Sequence, residues 1–321
     1  MAVYTEIGDD ELRAFTALYD LGEVLACKGI AEGVENSNYL LTTARGNFIL
    51  TLYEKRVARG DLPFFIALMD HLAHQGVACP VPVRATDGEA LRELCGRPAA
   101  IVTFLNGMWP RRIEPHHCGA LGEALARLHL AGASFGLARP NDLGPAGWRR
   151  LCERCGAGAG AVQTGLADEL AAELAFLETA WPRDQPCGVI HADLFPDNVF
   201  FRDHELSGLI DFYFACTDFL AYDIAICLNA WCFEPDASFN VTKARLLVAR
   251  YRAVRPLAAA ELAALPLLAR GSALRFLLTR LYDWLHRTEG ALVQPKDPLE
   301  YVRKLRFHRG ITGPEAYGID R

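Results

Sequence analysis

The residues best suited to chemistry lie in one stretch: His191-Ala192-Asp193-Leu194-Phe195-Pro196-Asp197-Asn198, then Val199-Phe200-Phe201, then Gly208-Leu209-Ile210-Asp211-Phe212. A short apolar run delivers a loop that carries the Asp193 carboxylate and, five residues on, the Asn198 amide. Two further apolar runs return a second carboxylate, Asp211. Phosphoryl transfer asks for these parts, since a carboxylate must orient the acceptor hydroxyl and a cation must be held against the phosphates by hard oxygen ligands. Asp193 fits the orienting or base role. Asn198 and Asp211 fit a metal, and amide and carboxylate oxygens suit Mg2+ rather than zinc. Both aspartates could instead be turn and cap residues, but that reading leaves the spacing of the polar positions between apolar strands unexplained.

The elements that must position this loop can be read from periodicity. Asp9-Asp10-Glu11 opens a short helix, with acidic residues where the helix dipole favours them. Gly29 to Asn38 is a polar turn between strands, and Phe48 to Tyr53 alternates two faces as a strand does. Pro63 starts a helix that Gly76 ends, and Val81-Pro82-Val83 and Ala99 to Phe104 read as strands. Asn106-Gly107 breaks the pattern. Beyond it helices dominate: Pro115 to Leu130 with Gly132 as C-cap, about Ala167 to Thr179, and others after residue 241. Gly156 to Gly160 reads as a surface loop. The expected fold class is α+β, with a small antiparallel sheet lobe over 1–105, a larger, mainly helical lobe over 106–321, and a hinge near 104–108.

Composition narrows the class. The 321 residues are 51% apolar and 22% charged, an ordinary globular balance for one large domain or two lobes. Net charge is −6 with the signs mixed, so no basic stripe points to nucleic acid. No signal peptide is expected from the first residues, and charges interrupt the most apolar stretches before they could span a membrane. The reading is a cytoplasmic protein whose partner is a small molecule, of unspecified oligomeric state. Of ten cysteines only Cys152 and Cys155 form a C-x-x-C, with no second pair at zinc spacing, so reduced structural thiols are expected.

The His191–Asn198 segment with Ile210-Asp211 resembles the H-x-D-x-x-x-x-N plus I-D signature of protein-kinase-like enzymes, in the form of the aminoglycoside phosphotransferase and choline kinase superfamily. Thr217 to Ala225 resembles that superfamily's D-P-x-x-D-L-A segment. The resemblance implies a two-lobed protein-kinase-like fold, with ATP and Mg2+ as cofactors. It implies Asp193 as the catalytic residue, Asn198 and Asp211 at the metal, and His191 and Asp223 as structural braces of the loop. It also brings Gly33, Asn36, Ser37 and Asn38 to the phosphates, where backbone N–H groups of a turn can face anions, and the 104–107 hinge to adenine. One departure stands out, since the third-strand cation expected in such kinases is replaced by Thr51, and Phe65 takes the place of its glutamate partner. Lys55 shares a strand face with Thr51 and Tyr53 and is the candidate substitute, a solvated strand-end lysine being the other reading.

Glu32 to Tyr39, Leu50 to Lys55, Ile210 to Ala215 and Arg275 to Trp284 are similar to the homoserine kinases of the aminoglycoside-phosphotransferase-like type, nearly the whole chain being covered. Thr51 belongs to that similarity. The implied reaction moves the γ-phosphoryl group of ATP to the hydroxyl of L-homoserine, within threonine biosynthesis. An amino-acid alcohol needs a cation for its carboxylate, for which Arg275 and Arg280 are candidates, and an acid for its ammonium, for which Asp218, Glu234 and Asp283 are candidates. Trp231, Phe233 and Trp284 could wall a pocket or fill the core. The alternatives are a kinase for choline, an aminoglycoside or a methylthio-sugar, and a nucleotide-binding pseudokinase.

Overall fold

The computed structural model describes residues 5–30, 36–54, 57–156, 158–287 and 295–320. The chain divides into two compact units, Met1–Gly107 with Ser207–Tyr213, and Met108–Leu206 with Phe214–Arg321. Sequence reading set the break at 105/106 and did not anticipate the return of Ser207–Tyr213 to the first unit. Nothing in a seven-residue stretch of mixed character announces which sheet or helix it will pack on.

The first unit opens with α1 (Asp9–Thr16), whose acidic first turn and buried Leu12 and Phe15 match the expected short helix. β1 (Val24–Gly29), β2 (Ser37–Thr43) and β3 (Gly46–Leu52) form an antiparallel meander, followed by α2 (Leu62–His74), β4 (Leu91–Leu94) and β5 (Arg97–Thr103). The sheet order is β1-β2-β3-β5-β4, so β3 is central, between β2 and β5. Strand alternation puts Tyr39 and Leu41 of β2 and Leu50 and Leu52 of β3 against Leu12, Phe15 and Ile101 in one apolar cluster. Thr51, on the other face of β3, is opposite Asn38 on one side and Ala100 on the other. β4 was missed because the turn that makes it, Cys95-Gly96, has both residues at positive φ (52° and 70°), a hairpin geometry that a cysteine does not advertise. Val81-Pro82-Val83 is not a full strand. Pro82 has no N–H to give, so the segment runs beside β5 only through an isolated bridge to Val102 and the hydrogen bonds of Val81 and Val83.

The second unit is mainly helical. Its elements are α3 (Pro115–Gly132), α4 (Pro145–Cys155), α5 (Gly158–Val162), α6 (Leu166–Ala180), β6 (Cys187–Ile190), β7 (Val199–Arg202), β8 (Glu205–Leu209, whose last three residues belong to the first unit), β9 (Cys216–Phe219), α7 (Leu220–Trp231), α8 (Val241–Val254), α9 (Ala259–Leu285) and α10 (Leu299–Arg309). β6 pairs antiparallel with β9, Ile190 opposite Cys216 and Cys187 opposite Phe219. The exit of β6 is therefore beside the entry of β9, which runs straight into α7. Gly132 is the last residue of α3 rather than its cap. A Cβ there would come within 3.1 Å of Val189 on β6, so glycine lets helix and strand close. Gly156 to Gly160 is not one loop, since Gly156 turns at φ 45° and Gly158 starts α5 against Leu285. Among the described helices only α9 is long and apolar enough to cross a membrane, but 72% of its most apolar window is buried inside the protein, where it serves as the core helix.

Candidate active site

The loop after β6 is built by its backbone. His191 and Ala192 donate their N–H groups to the two carboxylate oxygens of Asp223 in the first turn of α7, at 2.7 and 2.9 Å. Ala192 has φ 64°, a left-handed conformation that costs a residue with a Cβ about 1–2 kcal/mol, so contacts from outside must hold it. Its carbonyl accepts from Arg275 Nη1 of α9 at 2.6 Å. The Leu194 carbonyl accepts from the buried Trp231 indole at 2.7 Å. The 3-10 turn Pro196–Asn198 then folds Asn198 back, its Nδ2 donating to the Asp193 carbonyl at 2.8 Å and to Asp193 Oδ2 at 3.2 Å. Spending Nδ2 in this way turns Oδ1, the atom a hard cation takes, away from Asp193. Asp193 itself is half-buried, and its N–H points to His191 Nδ1 at 3.3 Å.

Asp223 is fully buried and would be costly as an anion without partners. Burial works to raise its carboxyl, but the hydrogen bond from His129, the nearby histidines and the loop N–H groups outweigh that and hold it below the usual carboxylate range. His129 Nε2 gives its hydrogen to Asp223 at 3.3 Å, which leaves Nδ1 to accept from the Tyr251 hydroxyl at 2.7 Å. Arg255 Nη1 donates to the Tyr251 oxygen at 3.2 Å and to Glu261 at 2.9 Å. A continuous chain of hydrogen bonds thus links Glu261 of α9, through Arg255, Tyr251 of α8 and His129 of α3, to Asp223, which in turn accepts from the loop. His129 and Tyr251 were not singled out by sequence reading. The available signal was a histidine four residues after Leu125, on the apolar stripe of α3.

Other sequence-predicted residues are committed elsewhere in the second unit. Arg275 is 1% exposed and lies under the rings of Phe276 and Phe214, so its guanidinium faces the loop backbone and not a solvent-filled space. Arg280 pairs with Glu300 at 2.6 Å and covers the ring of Tyr301. Asp218 accepts from Asn141 at 2.7 Å and from the Phe219 N–H, and burial raises its carboxyl despite those bonds. Glu234 is paired with Lys243 at 2.6 Å, a hydrogen bond that lowers its carboxyl. Trp231 and Phe233 are core residues, the latter packed on Phe239 and Phe307.

The first unit holds Asp211, which is exposed with φ 65°. Two residues on, the Tyr213 hydroxyl is 3.1 Å from that of Tyr53, and its ring packs edge-on against Phe65. Thr51 donates to Asn38 Oδ1 at 2.8 Å. The places where the resemblance led one to expect a lysine and a glutamate are therefore filled by a neutral polar ladder and an aromatic cluster. Ser37 is fully buried, and its hydroxyl donates to Glu54 at 2.8 Å. Asn36 is buried too and accepts from the Glu54 N–H at 3.3 Å. The side chains of Asn36 and Ser37 thus serve the Glu54 clasp, a role that sequence reading did not foresee. Gly33 and Lys55 lie outside the described residues.

The phosphotransferase enzyme family matches residues 26–257. The chain belongs to that family. Within it, the homoserine kinase of Paramagnetospirillum magneticum is 64% identical over 100% of both chains, and that of Rhodospirillum rubrum is 63% identical, again over 100% of both. In fold the family likeness reaches further. An amicoumacin kinase solved with AMP-PNP, Ca2+ and Ami has a TM-score of 0.70 at 15% identity, covering 95% of this chain and 94% of its own. Choline kinase from Cryptosporidium parvum has a TM-score of 0.66 at 13% identity, covering 88% of each. The chain has the protein-kinase-like fold: an antiparallel sheet unit and a mostly helical remainder.

Proposed function

We propose that this protein is a homoserine kinase, which moves the γ-phosphoryl group of ATP to the hydroxyl of L-homoserine and releases ADP and O-phosphohomoserine. What carries the reading is identity of 63–64% with homoserine kinases along the entire length, in a chain that also keeps Asp193, Asn198 and Asp211. The product would feed threonine biosynthesis in the cytoplasm. Asp193 orients the homoserine hydroxyl and takes its proton as the new O–P bond forms and the bond from the γ-phosphorus to the β–γ bridging oxygen breaks. Asn198 and Asp211 are the residues that would offer hard oxygens to Mg2+, whose charge would offset that of the phosphates. His191 and Asp223 hold the loop that presents Asp193. Adenine and phosphates would be received by the sheet unit, with Gly33, Asn38 and the backbone of Asn36 and Ser37 assigned to the phosphates and Lys55 assigned the role of the third-strand cation. Of the two arginines proposed for the substrate carboxylate, Arg280 is retained. Its side chain keeps 11% of its surface in solvent, and its pairing with Glu300 is the contact a substrate carboxylate would replace.

The reading is tested by ADP release with Mg-ATP and, separately, L-homoserine, choline and an aminoglycoside. Saturable turnover with L-homoserine alone is expected. Turnover with choline or the aminoglycoside in its place would remove the substrate assignment and leave the phosphotransferase chemistry. ATP binding with no turnover on any alcohol would favour a pseudokinase.

A further inference from the structure

The structure assigns Arg275 a task that differs from substrate binding. We propose that it is a positioning residue, whose guanidinium holds the Ala192 carbonyl and thereby keeps the peptide before Asp193 in its left-handed setting. The inference rests on the phosphoryl-transfer reading of Asp193. Four observations carry it. Ala192 is at φ 64°, a conformation that a Cβ disfavours and glycine does not. Both of its backbone polar groups are gripped from separate helices, the N–H by Asp223 on α7 at 2.9 Å and the carbonyl by Arg275 on α9 at 2.6 Å. Arg275 is buried, and no carboxylate among the described residues forms an ion pair with it; Asp218, which feels its charge, gives its oxygens to Asn141 and the Phe219 N–H. A buried cation without a counter-ion is costly and contributes nothing that a leucine could not supply as filler. Its favourable contacts include the Phe276 ring at 4.5 Å, the Phe214 ring at 5.8 Å, the buried Tyr222 hydroxyl and the Ala192 oxygen, the last being the one that reaches the loop.

The consequence is mechanical. The Ala192 carbonyl belongs to the peptide whose nitrogen is that of Asp193, so rotation about this peptide swings the carboxylate that must meet the acceptor hydroxyl. With the guanidinium gone, Ala192 relaxes toward negative φ and Asp193 leaves its setting. A glycine in place of Ala192 has no such bias and would keep the loop in place without the arginine.

The test is a double-mutant cycle with Arg275→Met and Ala192→Gly, read by steady-state kinetics and by amide hydrogen exchange of the peptide spanning residues 188–196 in ligand-free protein. In the unsubstituted background, Arg275→Met is expected to lower kcat about 30-fold or more, with KM for ATP and for L-homoserine changed less than about threefold, and to speed exchange of that peptide at least about tenfold. In the Ala192→Gly background the same substitution should cost less than about fivefold in kcat and leave exchange nearly unchanged. Equal losses in both backgrounds would overturn the proposal. So would a rise in KM for L-homoserine with kcat retained, which would return Arg275 to the substrate carboxylate. If Arg275→Met does not fold, Arg275→Lys keeps the charge and loses the fork, and the same cycle is run with it. The exchange arm needs no substrate, so it decides the loop-holding role even where the homoserine assignment fails.

Discussion

In the proposed reaction Asp193 acts by orientation and proton acceptance, and its surroundings fix where it points. Asn198 holds its carbonyl and its Oδ2, and His191 accepts from its N–H. An amide at 193 keeps the shape and removes the basic oxygen. Asp193→Asn is therefore expected to lower kcat by about 10²–10⁴-fold, while ATP affinity measured by calorimetry stays within about threefold. Normal turnover by that variant would remove Asp193 from its role. The residues around it divide by what they hold: Asp223 grips N–H groups, Arg275 and Trp231 grip carbonyls, and His129 with Tyr251 keeps Asp223 charged and aimed.

At the scale of elements, the loop is only as well placed as the helices behind it. α3 and α8 cross so closely at Gly122 that an added Cβ would come within 2.0 Å of the Leu247 carbonyl oxygen. Alanine would gain about 1 kcal/mol of helix propensity there, but the obstacle is backbone, which cannot swing aside as a side chain would. Gly122→Ala is expected to destabilise by about 2–3 kcal/mol net, seen as a lower denaturant midpoint at unchanged slope; an unchanged midpoint would show that the two helices can separate. α10 docks on α7 and α9 through a second buried polar chain. Lys304 reaches the Asn229 carbonyl at 2.8 Å, and His308 bridges Asn229 Oδ1 and the Tyr317 hydroxyl at 3.0 and 2.7 Å. Burial, aided by the Lys304 charge, pushes His308 down to about 3. The unfolded chain binds a proton at this histidine below about pH 6.5, and the folded protein refuses it. Stability contributed here is thus present at neutral pH and falls as the medium is acidified, by up to about 1.4 kcal/mol per pH unit. Glu300 acts in the same direction at lower pH. Burial would raise it, but Lys304 and Arg280 hold it at about 2, so its contribution is lost as pH falls from its ordinary value of about 4.3 toward 2. Melting temperatures at pH 7 and pH 5 should differ less in His308→Gln than in the unsubstituted protein, and equal differences would assign the acid sensitivity elsewhere.

On the scale of the whole molecule, the sheet unit is assembled from two separated pieces of chain. Gly208 is packed so tightly on Leu105 that a Cβ would approach to 2.6 Å, and Leu209 donates to the Ala78 carbonyl at 2.9 Å. Tyr213 covers Tyr53 and Phe65. A fragment ending at Gly107 would leave those surfaces open. Residues 1–107 joined by a short Gly-Ser linker to 207–213 should melt cooperatively at a higher temperature than 1–107 alone; coincident melting curves would mean that the returning segment adds no stability. The segment also carries Asp211, so the residue proposed for the metal belongs by packing to the sheet unit and by chain order to the helical half.

What the sequence by itself determined were features carried within some twenty residues: the spacing of Asp193, Asn198 and Asp211, the strands that bracket them, the helix at Pro63 and the change from sheet to helices near Gly107. These follow from local periodicity and turn chemistry, and the resemblance they support led to the family and the fold. Tertiary structure decided what each charged group is spent on. Arg275 could as well have met a carboxylate in the cleft, and only the packing of α9 on the loop turns it to the Ala192 carbonyl. Ser37 looked like a phosphate contact until the register of β2 buried it against Glu54. His129 carries no local mark of the distant aspartate it supports. Partners separated by 80 or more residues, as Arg275 and Ala192 are, are chosen by burial and by the need to satisfy every polar group that burial removes from water, and neither can be read before the chain is folded.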